Sequence, residues 1–125
     1  MSKYKKQGFS NTFKNAQKGF RLALKSERNI RIHIAVATIV LISGAALHFD
    51  VIKYCLLLFA IALVIVSEML NSAIEFTLDS YYHNKYNKMV GMAKDISAGA
   101  VMIATFTSIT IGLLIFGHSL FKIFN

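Results

Sequence analysis

Three of the chain's six carboxylates, Glu68, Glu75 and Asp79, fall in one stretch that opens Glu68-Met69-Leu70-Asn71-Ser72-Ala73-Ile74-Glu75. At 100° per residue, Glu68 and Glu75 differ by about 20° around a helix, and Asp79 nearly eclipses Glu68. Asn71 and Ser72 flank the same line, so the acids form one polar stripe. Carboxylates grouped with a lysine suit one kind of chemistry. Mg²⁺ takes oxygen ligands, commonly one or two carboxylates together with substrate phosphates. A further carboxylate can act as general base on a hydroxyl, and Lys or Arg can offset charge on a phosphoryl group in transfer. The residues available for this are Glu27 with Arg28, Asn29 and Arg31, then Glu68, Asn71, Glu75 and Asp79, then Lys94 and Asp95. No GxxxxGK[ST], kinase glycine loop or dinucleotide fingerprint is present, which excludes the common soluble phosphotransferase motifs.

The elements that must carry these groups look like membrane spans. Of 125 residues, 55% are hydrophobic and 16% charged, well under the roughly 25% charge of a soluble domain. The chain reads as one all-α integral membrane domain over 1–125, without internal repeats. After a polar, basic terminus with Lys3, Lys5 and Lys6, residues 9–26 place Phe9, Phe13, Ala16, Phe20, Ala23 and Leu24 at helical spacing, with Lys14, Lys18, Arg21 and Lys25 largely opposite. That pattern predicts an amphipathic helix lying in the membrane interface; a soluble helix packed on a partner is the alternative. Residues 32–49 contain no Asp, Glu, Lys or Arg and predict a first span. Asp50 and Lys53 mark a tight turn. The second span is expected over 52–79. Its charge-free part, 54–67, is too short to cross alone, so the helix must run on into the acidic stretch with its acids turned to protein or water. Residues 80–95 are polar and predict a loop with at most a short helical turn. Asp95 is expected to cap the third span, 96–120, in which Ala100, Ala104, Ser108 and Gly112 form a small-residue face for helix contact.

Three spans put the N-terminus and the 80–95 loop on one side. That side holds twelve of the fourteen Lys and Arg residues, against Lys53 and Lys122 on the other, which predicts a cytoplasmic N-terminus. The net charge of +8 then fits anionic headgroups or a phosphorylated ligand rather than nucleic acid. Cys55 stands alone in an apolar run, and His33, His48, His83 and His118 are dispersed, so neither residue type suggests a metal site. Tyr81, Tyr82 and Tyr86 read as an interfacial aromatic belt. A single acid at membrane depth, costing roughly 2.5–3.5 kcal/mol on the insertion scale, could be a structural ion pair; an aligned set points to function.

Three blocks now carry a resemblance: Glu27-Arg28-Asn29-x-Arg31-x-His33; Glu68-x-Leu70-Asn71-Ser72-Ala73-Ile74-Glu75-x-x-x-Asp79; and Ala93-Lys94-Asp95-x-x-Ala98-Gly99-Ala100-Val101. Together they resemble the prokaryotic diacylglycerol kinase family of three-span membrane lipid kinases, over about residues 13–115. The first block is similar to the Gram-positive branch, whose members phosphorylate undecaprenol. The resemblance implies an ATP- and Mg²⁺-dependent kinase acting on undecaprenol, with diacylglycerol as the alternative substrate. It implies Glu68 as catalytic base and Glu27 and Glu75 as carboxylates for the Mg²⁺ of ATP. It further implies that Asn71, Asp79, Tyr86, Asn87, Lys94 and Asp95 contact the nucleotide, that Asn29, Arg31 and Ala98 lie near the lipid, and that the protein is a homotrimer with shared active sites. Two readings outside lipid kinases are an ion or proton pathway and a structural helper subunit. The first is opposed by residues 54–66, which continue no ionisable path across the second span.

Overall fold

The computed structural model describes residues 8–125; the basic terminus with Lys3, Lys5 and Lys6 lies outside them. The described residues form four helices and no strands: α1 (Phe9–Ser26), α2 (Arg28–Ala46), α3 (Val51–Tyr82) and α4 (Lys88–Phe124). Three of them, α2, α3 and α4, are long and apolar enough to cross a membrane. The predicted all-α membrane architecture with an N-terminal helix is therefore the observed one.

Packing follows the rules of a lipid-facing protein. Large apolar side chains such as Ile39, Ile42, Phe59, Ile103, Phe106, Leu113 and Leu114 are exposed, because lipid tails solvate them as well as protein would. Half of the buried positions among the described residues are small, Ala37, Gly44, Ala60, Ser72, Ser97, Ala104 and Ser119, which let helix backbones approach closely. On α3 the buried stripe is Leu57, Ala60, Val64, Glu68 and Ser72, a spacing of three or four that marks one helical face. Glu68 thus sits on the face that packs against the rest of the protein, as the cost of exposing it to lipid requires. On α4, Val90, Ser97 and Ala104 are buried seven residues apart.

That heptad revises the predicted small-residue face. Ala104 is buried, and Ser108 Oγ donates to the Ala60 carbonyl at 2.7 Å, but Ala100 is exposed. A four-residue spacing drifts about 40° per step around a helix, so the contact line passes through Ser97 instead.

The two junctions between the long helices differ from their predicted bounds. At the far end, α2 stops at Ala46, His48 takes a left-handed φ of 56°, and Phe49 folds back under Gly44. A Cβ on Gly44 would meet Phe49 Cδ2 at 2.9 Å, so the turn needs glycine there. Asp50 caps α3 by accepting from Lys53 N at 2.9 Å. Lys53 Nζ donates to Ser119 Oγ at 2.8 Å, tying the start of α3 to the end of α4. At the other end the expected 80–95 loop contracts to residues 83–87. His83 and Asn84 take left-handed φ values of 51° and 61°, and both of their backbone N–H groups reach the Asp79 carbonyl, an ending that satisfies an orphan helix carbonyl. Asn87, not Asp95, caps α4, accepting from Met89 N at 2.8 Å. Asp95 lies inside the helix because Lys88 to Lys94 contains neither proline nor a strong helix breaker besides Gly91.

Candidate active site

The 32 residues of α3 make a helix of roughly 48 Å, longer than a hydrocarbon core of about 30 Å. Counted from Val51, Glu68 lies roughly 26 Å along the helix axis, Glu75 roughly 36 Å and Asp79 roughly 42 Å. The acidic stripe therefore begins near the boundary of the apolar slab and continues beyond it. The α1–α2 junction and the start of α4 lie at this same end, since the three long helices alternate in direction.

Three side-chain ties organise the stripe. His33 on α2 brings Nε2 to 3.4 Å from Glu68 Oε1; the Glu68 side chain is 7% exposed and that of His33 28%. One turn on, Asn71 is gripped from both sides. Its Nδ2 donates to Glu75 Oε1 at 3.3 Å, and its Oδ1 accepts from Ser97 Oγ on α4 at 2.5 Å. The Ser97 hydroxyl has the Lys94 carbonyl as a second acceptor at 3.1 Å. A further turn on, Lys94 Nζ meets Asp79 Oδ1 at 2.6 Å, both side chains being a little over one-third exposed. Burial of the acids falls from Glu68 to Glu75 and Asp79, as expected of a helix leaving the membrane.

Beyond the last tie lies a polar pocket of about 290 Å³, lined by Asp79, Tyr82, Asn84, Lys85, Tyr86, Asn87, Gly91 and Lys94 among others. Four residues named from the sequence as nucleotide contacts, Asp79, Tyr86, Asn87 and Lys94, thus share one cavity. In the opposite direction, an apolar groove of about 530 Å³ runs between α2, α3 and α4. His33 lies in its wall, with Val36, Val40, Leu57, Val64, Ile109 and Phe116. His33 thus links the groove to Glu68.

The remaining sequence candidates are placed as follows. Glu27 is half-buried at the N-cap position of α2, with no side-chain cap bond, and directly follows α1. Arg31 Nη1 donates to the carbonyls of Leu24 at 2.7 Å and Lys25 at 3.0 Å, so its guanidinium closes the C-terminus of α1. Asn29, Asp95 and Ala98 are exposed on α2 and α4. Asn87 has its side chain engaged as the α4 cap, and Tyr86 beside it is 90% exposed. Two polar residues escaped sequence reading, His33 as a partner of Glu68 and Ser97 as a partner of Asn71. Their partners are 35 and 26 residues away, beyond any local pattern.

The donor set fits a hard cation carried by phosphates. It is made of carboxylates, with Glu75 held in place by Asn71. Among the described residues no three or more His, Cys, Asp or Glu side chains gather into a cage of their own. A metal here would draw on one or two carboxylates and on ligand oxygens, the usual mode for Mg²⁺.

Comparisons with known proteins agree with this architecture. The family model for prokaryotic diacylglycerol kinase matches residues 14–116. Undecaprenol kinase of Bacillus subtilis is 36% identical over 108 residues, covering 86% of this chain and 87% of that protein. Diacylglycerol kinase of Escherichia coli is 33% identical over 115 residues, 89% of this chain and 93% of that protein. Diacylglycerol kinase of Synechocystis is 32% identical over 101 residues, which are 81% of this chain but 58% of that longer protein. Three apolar spans, the acidic stripe on α3 and a match over most of the chain lead to one conclusion: the chain belongs to the prokaryotic diacylglycerol kinase family, a family of membrane lipid kinases.

Proposed function

We propose that this protein transfers the γ-phosphoryl group of Mg²⁺-ATP to the hydroxyl of undecaprenol. The observation that carries the reading is the apolar groove whose wall includes His33, the residue that meets Glu68. A polyprenyl alcohol has one polar group, its hydroxyl, and a long hydrocarbon tail, which suits a groove walled mostly by apolar side chains with His33 beside Glu68. The groove's two hydroxyls are Thr105 and Ser108, and Ser108 already donates to the Ala60 carbonyl. A diacylglycerol would bring two ester carbonyls, and burying one without a donor costs about 1–3 kcal/mol on protein scales.

Glu68 is the general base. It takes the alcohol proton as the lipid oxygen attacks the γ-phosphorus, and the bond from phosphorus to the ADP oxygen breaks. Glu27 and Glu75 would hold the metal, which would supply charge neutralisation on the phosphates. Asn71 orients Glu75, and Ser97 fixes Asn71. Lys94 binds the phosphates from the polar pocket, with Asp79 holding its ammonium in place, and Tyr86, Asn87 and Asp95 border the rest of the nucleotide. Asn29, Arg31 and Ala98 border the lipid; Arg31 acts by anchoring α1 over the start of α2. In this reading the protein works as a homotrimer in a bacterial inner membrane, with α1 lying in the cytoplasmic interface and ATP reaching the site from that side. The experiment is Glu68→Gln in purified protein. The expected result is a loss of phosphoryl transfer of at least 100-fold, within the range a general base contributes, with Mg²⁺-ATP binding retained. Normal turnover would end the base assignment.

A further inference from the structure

We infer that His33 is a positioning residue for the base, its Nε2–H holding Oε1 of Glu68 so that the other carboxylate oxygen is presented to the lipid hydroxyl. This rests on the reading of Glu68 as base and goes beyond it.

Glu68 is 6% exposed, and a carboxylate so deeply buried is stable only with a partner. The ionisable side chain that meets it is His33, with Nε2 at 3.4 Å from Oε1. The two residues come from different helices, α2 and α3, so their contact sets where the carboxylate stands relative to α2. A carboxylate held at one oxygen keeps its second oxygen free as proton acceptor, and an activating base is commonly oriented in this way by a third group. His33 is also the residue that belongs to both regions, lining the apolar groove while touching the base. A lipid alcohol seated in that groove with its hydroxyl at Glu68 must pass the imidazole. A neutral imidazole with its hydrogen on Nε2 is sufficient, and no change of charge on His33 is required.

The test has two parts. The first is steady-state kinetics of His33→Leu and His33→Gln in the full-length protein with lipid and Mg²⁺-ATP. Leucine keeps bulk and apolar packing but has no donor; the glutamine amide offers an N–H near the place of Nε2. The expected result is a kcat about 10-fold lower for His33→Leu with the KM for ATP unchanged, and a His33→Gln kcat within about 3-fold of wild type. Wild-type kcat in His33→Leu, or a His33→Gln no better than His33→Leu, overturns the inference. The second part reads the contact without turnover: ¹⁵N resonances of the His33 ring in detergent micelles, in wild type and in Glu68→Gln. The expected result is an Nε2–H tautomer in wild type whose shifts move in the variant. Unchanged shifts overturn the inference even if the leucine variant misfolds. An inactive Glu68→Gln beside a fully active His33→Leu removes this inference and leaves the base reading standing, whereas a fully active Glu68→Gln removes both.

Discussion

Replacing Lys94 by methionine separates a structural from a functional reading of the polar end. Methionine keeps the length and most of the apolar stem and removes the ammonium. In the structure that ammonium pairs with Asp79 at 2.6 Å, but the two side chains are 36% and 37% exposed, so solvent screens the pair and its contribution to stability is below about 1 kcal/mol. Were the pair merely a strap between α3 and α4, Lys94→Met would lower thermal stability slightly and leave nucleotide affinity alone. Set against a phosphate instead, the ammonium makes a charge-assisted hydrogen bond worth about 1.5–3 kcal/mol, or roughly 10- to 150-fold in affinity. The expected result is a KM for ATP raised at least 10-fold, with the KM for the lipid and the melting temperature near wild type. Asp79→Asn, which keeps Lys94 and loosens its anchor, should raise the same KM by only a few-fold. ATP- and lipid-dependence curves in detergent or nanodiscs read the two KM values, and thermal unfolding reads the melting temperature. An unchanged KM for ATP in Lys94→Met would refute the placement of phosphates at this lysine.

Three other outcomes follow from the packing. Gly44→Ala should cost about 1–3 kcal/mol of stability, since its Cβ would lie 2.9 Å from the Phe49 ring; a melting temperature equal to wild type would show that the turn yields freely. Ser97→Ala leaves Asn71 Oδ1 without its α4 partner and should destabilise by about 1–2 kcal/mol while raising the KM for Mg²⁺-ATP through Glu75, measured by the same kinetics. Arg31→Ala removes the guanidinium from the Leu24 and Lys25 carbonyls; amide exchange in α1 should rise several-fold while that in α3 stays constant.

The sequence foretold the architecture because a bilayer leaves few choices. Charge-free runs located the spans, and the short run from Tyr54 to Ser67 forced α3 to carry its acids onward on one face. The buried position of Glu68 and the half-buried Glu75 and Asp79 follow from that face. What escaped was set by contacts between distant segments. Nothing near His33 announces a partner on another helix, and Ser97 reads locally as one more small residue of a span. The start of α4 differs from the sequence expectation for a different reason. The polar run from Ser80 to Lys88 and the charges at Lys94 and Asp95 suggest a loop throughout, yet Met89 to Ala93 between them are good helix residues apart from Gly91, and a helix leaving a membrane stays helical when its residues favour it. Asn87 supplied the true cap. Arg31, expected near the lipid head, also closes the end of α1, a contact visible only once α1 and α2 are folded against each other.

The central claim is that a base beside an apolar groove phosphorylates a polyprenyl alcohol. The most direct test is a competition assay in which purified protein, Mg²⁺ and γ-labelled ATP are offered undecaprenol and diacylglycerol at equal concentration in one micelle, and the labelled lipids are separated and counted. The account predicts that undecaprenyl phosphate carries most of the label. Phosphatidic acid as the dominant product would contradict it.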